Sequence, residues 1–281
     1  MSNASDRLRD AGLEPAAAQW LEQGKVADIL FYGDVSTARN ALADLTAQLD
    51  IAVQSSEERK KMLLVSDMDS TMITVECIDE LADYAGIKPE IAAITERAMA
   101  GELDFAEALS ARVALLAGLD ESVIAECLRE RVCPMPGAIE LVRTMANWGA
   151  HTMLVSGGFT SFTDPVAAHI GLIEVHANVL EIVDGKLSGR LSGAIVDAAA
   201  KRAFLEAAVA SQGLTAQQAL AVGDGANDIP MIAAAVMGQG LGVGYHPRPA
   251  LAQAANFSVR HSDLTALLFA QGVAKEHWVT A

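Results

Sequence analysis

Cysteine is scarce in this 281-residue chain, and no uninterrupted apolar run reaches the length of a membrane-spanning helix. The three cysteines, Cys77, Cys127 and Cys133, are too few and too irregularly spaced for a disulfide framework, which favours a reducing compartment. The N-terminus also lacks the apolar segment that a secretory signal needs. We therefore expect a cytoplasmic protein.

Basic residues are few as well: Lys and Arg total 20 against 36 Asp and Glu, which gives a formal net charge of −16. Nucleic acids and anionic membranes are bound through clustered Lys and Arg, so neither is expected as the main partner. The six histidines are scattered without the spacing of zinc ligands. We expect a small-molecule substrate, and an anionic one would have to be held by local positive charge.

Hydrophobic residues, in contrast, are abundant: they make up 52% of the chain, which is enough to form a substantial buried core. From Met62 onward, strand-like runs alternate with helical patterns, which is typical of a parallel sheet covered by helices. We predict an α/β fold with a parallel Rossmann-like sheet and helices on both faces. Its strands are predicted at 62–65, 151–155, 219–222 and, more weakly, 241–243.

Three regions do not follow this alternation of strands and helices. Consecutive helical stripes without strands predict a helical cap inserted at about 75–133, above the carboxyl edge of the sheet. The pair Asp184-Gly185 between apolar residues predicts a two-residue hairpin. Residues 1–58 are predicted to form a small N-terminal α/β extension with a linker, and residues 59–281 the main domain. The extension contains a predicted helix with an apolar face made of Ala38, Leu42, Leu45 and Leu49.

Small polar and acidic residues directly follow three of the predicted strands. The first ends in Asp67-Met68-Asp69-Ser70-Thr71, the second in Ser156-Gly157-Gly158, and the third in residues 223–228. In open α/β sheets ligands bind at the carboxyl ends of the strands, so we expect these segments to form one site. Two carboxylates as close as Asp67 and Asp69 repel each other and call for a cation or a shared proton.

Carboxylate oxygens would dominate this site, and they suit a hard cation such as Mg²⁺. Asp67 and Asp224, with backbone or water oxygens, are its candidate ligands. An aspartate could attack the phosphorus of a bound phosphoryl group and form an aspartyl-phosphate, while a second carboxylate serves as acid and base. The phosphoryl group would need donors, for which the candidates are Ser156, the N–H groups of Gly157 and Gly158, and Lys201.

These segments, together with Lys201, resemble the four motifs of the haloacid dehalogenase-like phosphatase superfamily. Within it the chain is most similar to the bacterial phosphoserine phosphatases with an N-terminal extension, over roughly residues 62–265. The resemblance implies that residues 59–281 are a haloacid dehalogenase-like catalytic domain. It also implies Mg-dependent hydrolysis of O-phospho-L-serine to L-serine and phosphate, the last step of L-serine biosynthesis.

The resemblance further implies a role for each matching residue. Asp67 would be the nucleophile and Asp69 the general acid and base. Mg²⁺ would be held by Asp67, the main-chain carbonyl of Asp69 and Asp224, with Asp228 behind these ligands. The substrate-binding positions it implies are Glu76, Met99, Phe105, Arg112, Ser156, Gly157, Lys201 and Asn227.

The cap adds an argument of its own about the substrate. Arg112 falls on a helix face that should be apolar, where a guanidinium needs an anionic partner. A ligand carboxylate would be gripped in bidentate fashion, and Glu76, just before the first cap helix, could receive an ammonium group. Opposite charges above a phosphate site describe a phosphorylated amino acid.

Ordinary structural interpretations exist beside these. Lys201 opens an amphipathic helix, where a lysine is usually solvated. Arg112 could instead pair with Glu80 or Glu107, and Glu76 could merely favour a helix start.

Other functions also remain open from the residues. A phosphotransferase could pass the phosphoryl group to another alcohol such as homoserine, and a phosphatase could act on another small monoester. A non-catalytic sensor of phospho-amino acids is disfavoured because sensing needs neither acid nor base at Asp67 and Asp69. Residues 1–58 could bind an amino acid, form a homodimer or only pack on the core.

Overall fold

The computed structural model describes residues 2–99 and 102–280. The N-terminal part contains α1 (Ser2–Asp10), β1 (Glu14–Pro15), β2 (Gln19–Glu22), β3 (Val26–Asp28), β4 (Phe31–Tyr32) and α2 (Val35–Leu42). After β5 (Leu63–Ser66), the region of the predicted cap contains α3 (Cys77–Ala85), α4 (Lys88–Met99), α5 (Phe105–Ala114) and α6 (Ser122–Glu130). The chain continues with α7 (Ala138–Asn147), β6 (His151–Phe159), α8 (Thr160–Ile170), β7 (Glu174–Val183), β8 (Lys186–Ser192) and α9 (Ala198–Ser211). It ends with β9 (Ala219–Gly223), α10 (Ile229–Met237), β10 (Leu241–Tyr245), α11 (Pro249–Ala254), β11 (Phe257–Val259) and α12 (Ala266–Ala270).

A seven-stranded sheet with the order β11-β10-β9-β5-β6-β7-β8 forms the centre of the main domain. Every neighbouring pair from β11 to β7 is parallel, and β8 is antiparallel to β7. The strands β5, β9 and β10 are buried along their whole length, because helices cover both faces of the sheet. The predicted α/β fold is therefore confirmed, with β8 as an antiparallel edge.

Alternate residues of the strands face two separate cores. Leu63 and Val65 pack with residues of α9 and α10, whereas Leu64 packs with residues of α7 and α8. Successive side chains of a strand point to opposite faces, so the sheet lies between two helical layers.

The predicted hairpin between β7 and β8 is present, and it also supports the cap. Asp184 and Gly185 have φ values of +51° and +74°, as a tight two-residue hairpin turn requires. The loop between α5 and α6 is bound to this hairpin by backbone hydrogen bonds. The Gly118 N–H donates to the Leu187 carbonyl at 2.8 Å, and the Leu187 N–H donates to the Leu119 carbonyl at 2.8 Å.

The predicted helix of the N-terminal extension is shorter than the apolar pattern indicates. Ala38 and Leu42 are buried in a small core, but α2 ends at Leu42 and a 3₁₀ helix (Ala43–Ala47) follows. A 3₁₀ helix has three residues per turn, so the apolar face shifts after α2; Leu45 still packs against this core, but Leu49 does not. Leu49 is 55% exposed, and its predicted place on the apolar face is wrong.

The polar and charged sequence of residues 55–61 predicts a linker, but its Arg59 and Lys61 contact both neighbouring parts of the chain. Lys61 is 2% exposed, and its Nζ donates to the carbonyls of Glu58 and Gln217 at 2.8 Å each. Arg59 Nη1 lies 2.6 Å from Asp28 Oδ2 of β3. These contacts attach the extension to the main domain.

The cap helices begin and end at recognisable sequence signals. Gly86 ends α3 with a φ of +70°, a left-handed conformation that favours glycine. Asp104 and Glu107 form a capping box at the start of α5. Within the described residues, none of the helices has the length and hydropathy required to cross a membrane.

Candidate active site

Asp67 lies immediately after β5 and is 4% exposed. Its N–H donates to the Val222 carbonyl of β9 at 3.0 Å, so the strand pairing continues up to this residue. Its Oδ1 accepts a hydrogen bond from the Met68 N–H at 2.7 Å. Ser70, with a φ of +56°, then turns the chain toward the cap. The backbone thus holds this carboxylate at the carboxyl edge of the sheet.

Lys201 lies in the first turn of α9, which is capped by the Asp197 side chain. Its Nζ lies 2.8 Å from Asp67 Oδ2 and 2.8 Å from Asp228 Oδ1, and the residue is 1% exposed. Burial lowers the pKa of this ammonium, but the charges of Asp67 and Asp228 outweigh burial, and the net pKa is raised. Lys201 therefore stays protonated, and its interpretation as a solvated lysine is wrong.

Three carboxylates meet at this edge, from Asp67, Asp224 and Asp228. One oxygen of each lies within 4.8 Å of the others. Burial, reinforced by the charge of Asp67, raises the pKa of Asp224 to about 6 and that of Asp228 to about 7. Clustered carboxylate oxygens are the donors that hard divalent cations prefer, and a cation would relieve this repulsion. The residues present therefore fit a divalent metal ion.

Asp228 is already engaged by donors of the protein. Its Oδ2 accepts the N–H groups of Asp224 and Gly225 at 3.1 Å each, in addition to the contact of its Oδ1 with Lys201. A Cβ at Gly223 would lie 2.3 Å from Asp228 Cγ, so a glycine is needed there. Asp228 therefore orders the loop. The Asp224 carboxylate accepts no hydrogen bond from the described residues, so both of its oxygens are available to an ion.

The segment Ser156-Gly157-Gly158 is presented by a bulge, where β6 leaves its ladder with β7. Ser156 is 1% exposed, and its Oγ accepts the Gly158 N–H at 2.9 Å. A Cβ at Gly158 would lie 3.4 Å from Asp69 Oδ2. The second motif therefore lies directly against the first, as the sequence predicts.

Asp69 faces the same space. Its Oδ1 is buried and has no hydrogen-bond partner within the described part of the chain. Burial, reinforced by the charges of Glu76 and Asp67, raises the pKa of the Asp69 carboxyl well above its ordinary value. A buried polar atom without a partner is costly, so this oxygen marks a position where a ligand atom belongs.

The cap brings two of the predicted substrate residues to the sheet edge. Phe105, at the start of α5, lies over the second motif, because a Cβ at Gly157 would be 3.2 Å from Phe105 Cζ. Glu76, just before α3, accepts a hydrogen bond from Ser70 Oγ at 2.7 Å. Met99 ends α4, and its side chain lies outside the described residues.

Arg112 of α5 is half-buried and, among the described residues, has no carboxylate within 4.0 Å. The two structural partners considered from the sequence are engaged elsewhere. Glu80 pairs with Arg131 at 2.7 Å, and Glu107 belongs to the capping box with Asp104. Both alternative partners of Arg112 are therefore wrong.

The third motif also contacts the first through a side chain. Asn227 Nδ2 donates to Asp67 Oδ2 at 3.3 Å, the same oxygen that lies against Lys201. The residues predicted at the sheet edge thus lie together: Lys201 and Asn227 contact Asp67, and Asp228 links Lys201 to the backbone of Asp224.

Sequence reasoning missed two residues beside this cluster. Asn178 of β7 is 1% exposed and donates through Nδ2 to the Gly157 carbonyl at 2.8 Å, although no motif marks it. The backbone N–H of Arg248 donates to the Asp224 carbonyl at 3.0 Å. The positive charge of the Arg248 side chain opposes the rise in the pKa of the Asp224 carboxyl. Arg248 lies in the loop after the weak strand predicted at 241–243, and that strand was the available signal.

Comparison with known proteins gives a family match and several relatives. A family model described as haloacid dehalogenase-like hydrolase matches residues 64–233. The phosphoserine phosphatase of Streptomyces coelicolor is 45% identical over 242 residues, which cover 85% of this chain and 58% of that protein. The chain therefore spans less than two thirds of the length of this relative.

Two further similarities cover more of the other protein. The phosphoserine phosphatase of Albidiferax ferrireducens is 46% identical over 211 residues, covering 73% of this chain and 87% of that protein. The unliganded crystal structure of a probable phosphoserine phosphatase from Vibrio cholerae matches with a TM-score of 0.74 and 37% identity. It covers 89% of this chain and 76% of that one.

Proposed function

Since the chain belongs to the haloacid dehalogenase-like hydrolase family, we propose that it hydrolyses O-phospho-L-serine to L-serine and phosphate. One observation carries the proposal: a fully buried Lys201 lies 2.8 Å from Asp67, at the point where three motif segments meet. The relatives named as phosphoserine phosphatases support the substrate.

The arrangement of the two carboxylates supports a two-step reaction. In the first step an oxygen of Asp67 bonds to phosphorus as the bond between phosphorus and the serine oxygen breaks. The electron pair goes to the serine oxygen, which takes a proton from Asp69. In the second step Asp69 takes a proton from water, whose oxygen bonds to phosphorus and releases Asp67.

The contacts of Asp67 support its role as the nucleophile. The Met68 N–H holds Oδ1, while Lys201 and Asn227 hold Oδ2, so the carboxylate is oriented before a substrate arrives. An oriented nucleophile lowers the entropic cost of reaching the transition state. The unpartnered Oδ1 of Asp69 is available to the leaving oxygen.

The phosphoryl oxygens would be held by Ser156, the Gly157 N–H and Lys201. Lys201 supplies a positive charge in a site shielded from water, where electrostatic stabilisation of a developing negative charge is strongest. Ser156 Oγ already accepts the Gly158 N–H, so its own hydrogen is free to donate to a ligand.

The proposed metal ion is Mg²⁺, held by Asp67, Asp224 and the main-chain carbonyl of Asp69. That carbonyl accepts no hydrogen bond from the described residues, so its oxygen is available. Asp228, which contacts Lys201 and the loop N–H groups, orders these ligands. Once bound, the ion would offset part of the negative charge that carboxylates and phosphoryl group bring together.

The cap supports a substrate that is both an acid and an amine. Burial lowers the pKa of the Arg112 guanidinium, and the charges of Asp79 and Glu76 oppose this shift, so these groups are close enough to interact. Arg112 is proposed to bind the substrate carboxylate and Glu76 its ammonium group. Phe105 would close over the phosphate segment between them.

The proposal includes the organisation of the chain. Residues 59–281 would be the catalytic domain, with its cap at about 75–133, and residues 1–58 the N-terminal extension. The three cysteines are free thiols, which is consistent with the proposed cytoplasmic location.

The test is release of inorganic phosphate from O-phospho-L-serine by the purified chain, with Mg²⁺ and with EDTA. We expect release that depends on the metal and that is slower with O-phospho-D-serine, because inversion at its Cα changes where the ammonium and carboxylate lie relative to Glu76 and Arg112. Release from many monoesters without preference for phosphoserine would contradict the substrate. Absence of any metal-dependent release would contradict the activity.

A further inference from the structure

Asn178 lies in β7 directly beside the bulge that presents the phosphate segment. β6 and β7 pair at Val155 with His176, and next at Phe159 with Asn178. Three residues of β6 therefore stand against one residue of β7, and the backbone groups of the bulged residues lose their regular ladder partners. Something else has to hold the bulge in one shape.

The side chain of Asn178 supplies that support. Its Nδ2 donates to the Gly157 carbonyl at 2.8 Å, within the bulge. Its Oδ1 accepts the Val196 N–H at 2.8 Å. Val196 directly precedes Asp197, the residue that caps α9 and thereby starts the helix of Lys201. One buried amide therefore connects the two chain segments that carry the phosphate-binding side chains.

We infer that Asn178 is a positioning residue for phosphoryl transfer, an inference that rests on the proposed function. It sets the orientation of the Gly157–Gly158 peptide and its distance from the helix of Lys201. Asn178 itself does not have to touch the substrate.

The planarity of the peptide bond gives the physical reason. The Gly157 carbonyl and the Gly158 N–H belong to one trans peptide unit and point in opposite directions. Binding the carbonyl to Asn178 therefore directs the N–H toward Ser156 Oγ, which it reaches at 2.9 Å. This hydrogen bond occupies a lone pair of the hydroxyl and leaves its hydrogen for a phosphoryl oxygen. Without Asn178, a peptide between two glycines has little to resist rotation.

The chain contains a matched control for an ordinary structural asparagine. Asn256 Oδ1 accepts the Gly242 N–H at 3.0 Å, and its Nδ2 donates to the Gly240 carbonyl at 2.9 Å. It thus makes the same two kinds of bond as Asn178: it accepts one backbone N–H and donates to one glycine carbonyl. These bonds lie at the amino end of β10, whereas the candidate site lies at the carboxyl edge of the sheet.

The experiment compares Asn178→Ala and Asn256→Ala in the full chain with Mg²⁺. Both variants should lose stability in thermal unfolding, because each loses two hydrogen bonds, and the loss should be larger for the fully buried Asn178 than for the half-buried Asn256. Only Asn178→Ala should lower kcat, on the order of 100-fold, since small displacements of positioned groups have effects of this size. The inhibition constant of inorganic phosphate should rise about tenfold, as expected for a weakened hydrogen bond to a charged group. Its kcat should fall by the same factor with p-nitrophenyl phosphate, because the phosphate segment serves every monoester.

A second variant guards against failure of Asn178→Ala to fold. Asn178→Asp keeps the shape of the side chain and the acceptor for the Val196 N–H, and it loses the donor to the Gly157 carbonyl. We expect the same loss of kcat and of phosphate affinity, with Asn256→Asp again retaining both.

Two kinds of failure can be told apart. If the wild-type chain releases no phosphate from any monoester, the proposed function fails regardless of Asn178. If the wild type is active and either folded Asn178 variant keeps kcat and phosphate inhibition within twofold of it, only the positioning role is overturned. Equal kinetic losses in the Asn178 and Asn256 variants would also overturn it.

Discussion

At the sheet edge, Lys201 is 1% exposed and lies 2.8 Å from each of two carboxylates. On the cap, Arg112 is half-buried and has no carboxylate within 4.0 Å among the described residues. Both are cations, but only Lys201 has its charge matched by carboxylates of the protein at hydrogen-bond distance.

This difference suggests that the sheet edge carries out the reaction and that the cap selects the substrate. The sheet edge is rigid because strand pairing fixes Asp67, and preorganised groups stabilise a transition state without rearranging. The cap has unmatched charges, which only a ligand of opposite charge can satisfy. We therefore expect changes at the sheet edge to abolish the reaction, and changes on the cap to alter which substrate is used.

Asp67→Asn should have the largest effect, because the amide removes the attacking oxygen's charge. We expect kcat to fall by at least about 1,000-fold for every monoester. Steady-state phosphate release measures this, with Asp164→Asn on the exposed side of α8 as the control. Retention of more than a tenth of the activity in Asp67→Asn would contradict the nucleophile.

Lys201→Met should lower both activity and stability. It leaves the buried carboxylates of Asp67 and Asp228 without their cation, and loss of one partner from a buried ion pair costs about 3–5 kcal/mol. Urea unfolding in EDTA measures the loss, and Lys25→Met, which removes an exposed pair with Glu22, should leave the free energy of unfolding unchanged. Equal stability of the two variants would mean that burial does not distinguish these lysines.

Arg112→Ala should change substrate preference more than turnover. We expect KM for phosphoserine to rise on the order of 10- to 100-fold, the size of a lost hydrogen bond between charged groups. The KM for p-nitrophenyl phosphate, which has no carboxylate, should stay within twofold. An equal rise in KM for both substrates would mean that Arg112 acts on the phosphate, as the sheet-edge residues do, and would contradict its role in substrate choice.

Lys61 is also buried, but unlike Lys201 it has no carboxylate partner among the described residues. It therefore offers a smaller test of how a matching charge affects a buried lysine. Burial lowers the pKa of Lys61 to about 8, against a rise for Lys201. Between pH 8 and 10 the unfolded chain then binds more protons at this position, so stability rises with pH. From pH 8 to 9.5, the wild type should gain about 1–2 kcal/mol relative to Lys61→Met in urea unfolding. A constant difference would show that Lys61 is not desolvated.

The sheet-edge residues could be predicted because parallel strands bring their carboxyl ends together whatever the rest of the chain does. Asp67, Ser156 and Asp224 followed from this alone. Asn178 could not, because its role depends on a bulge whose register is set by pairing between β6 and β7. The failed expectation for Leu49 has a similar origin, since a turn of 3₁₀ helix changes the face without leaving a mark in the apolar pattern.

The partners of Arg112 were also beyond sequence reasoning. Glu80 and Glu107 stand at helical spacing from other groups, and their actual contacts depend on how α3 packs against α6 and on the capping of α5. The periodicity of the sequence reveals neither this packing nor this capping. The sequence therefore indicates which charges belong to the cap, and the packing decides which of them stay unmatched.

The account depends most directly on transfer of phosphorus to Asp67. The decisive measurement is a rapid acid quench of the chain during turnover of ³²P-labelled phosphoserine, followed by peptide mapping. We predict that the label is found on the peptide containing Asp67, is released by hydroxylamine and is absent from Asp67→Asn. Label on another residue, or steady hydrolysis with no labelled peptide at any quench time, would contradict the account.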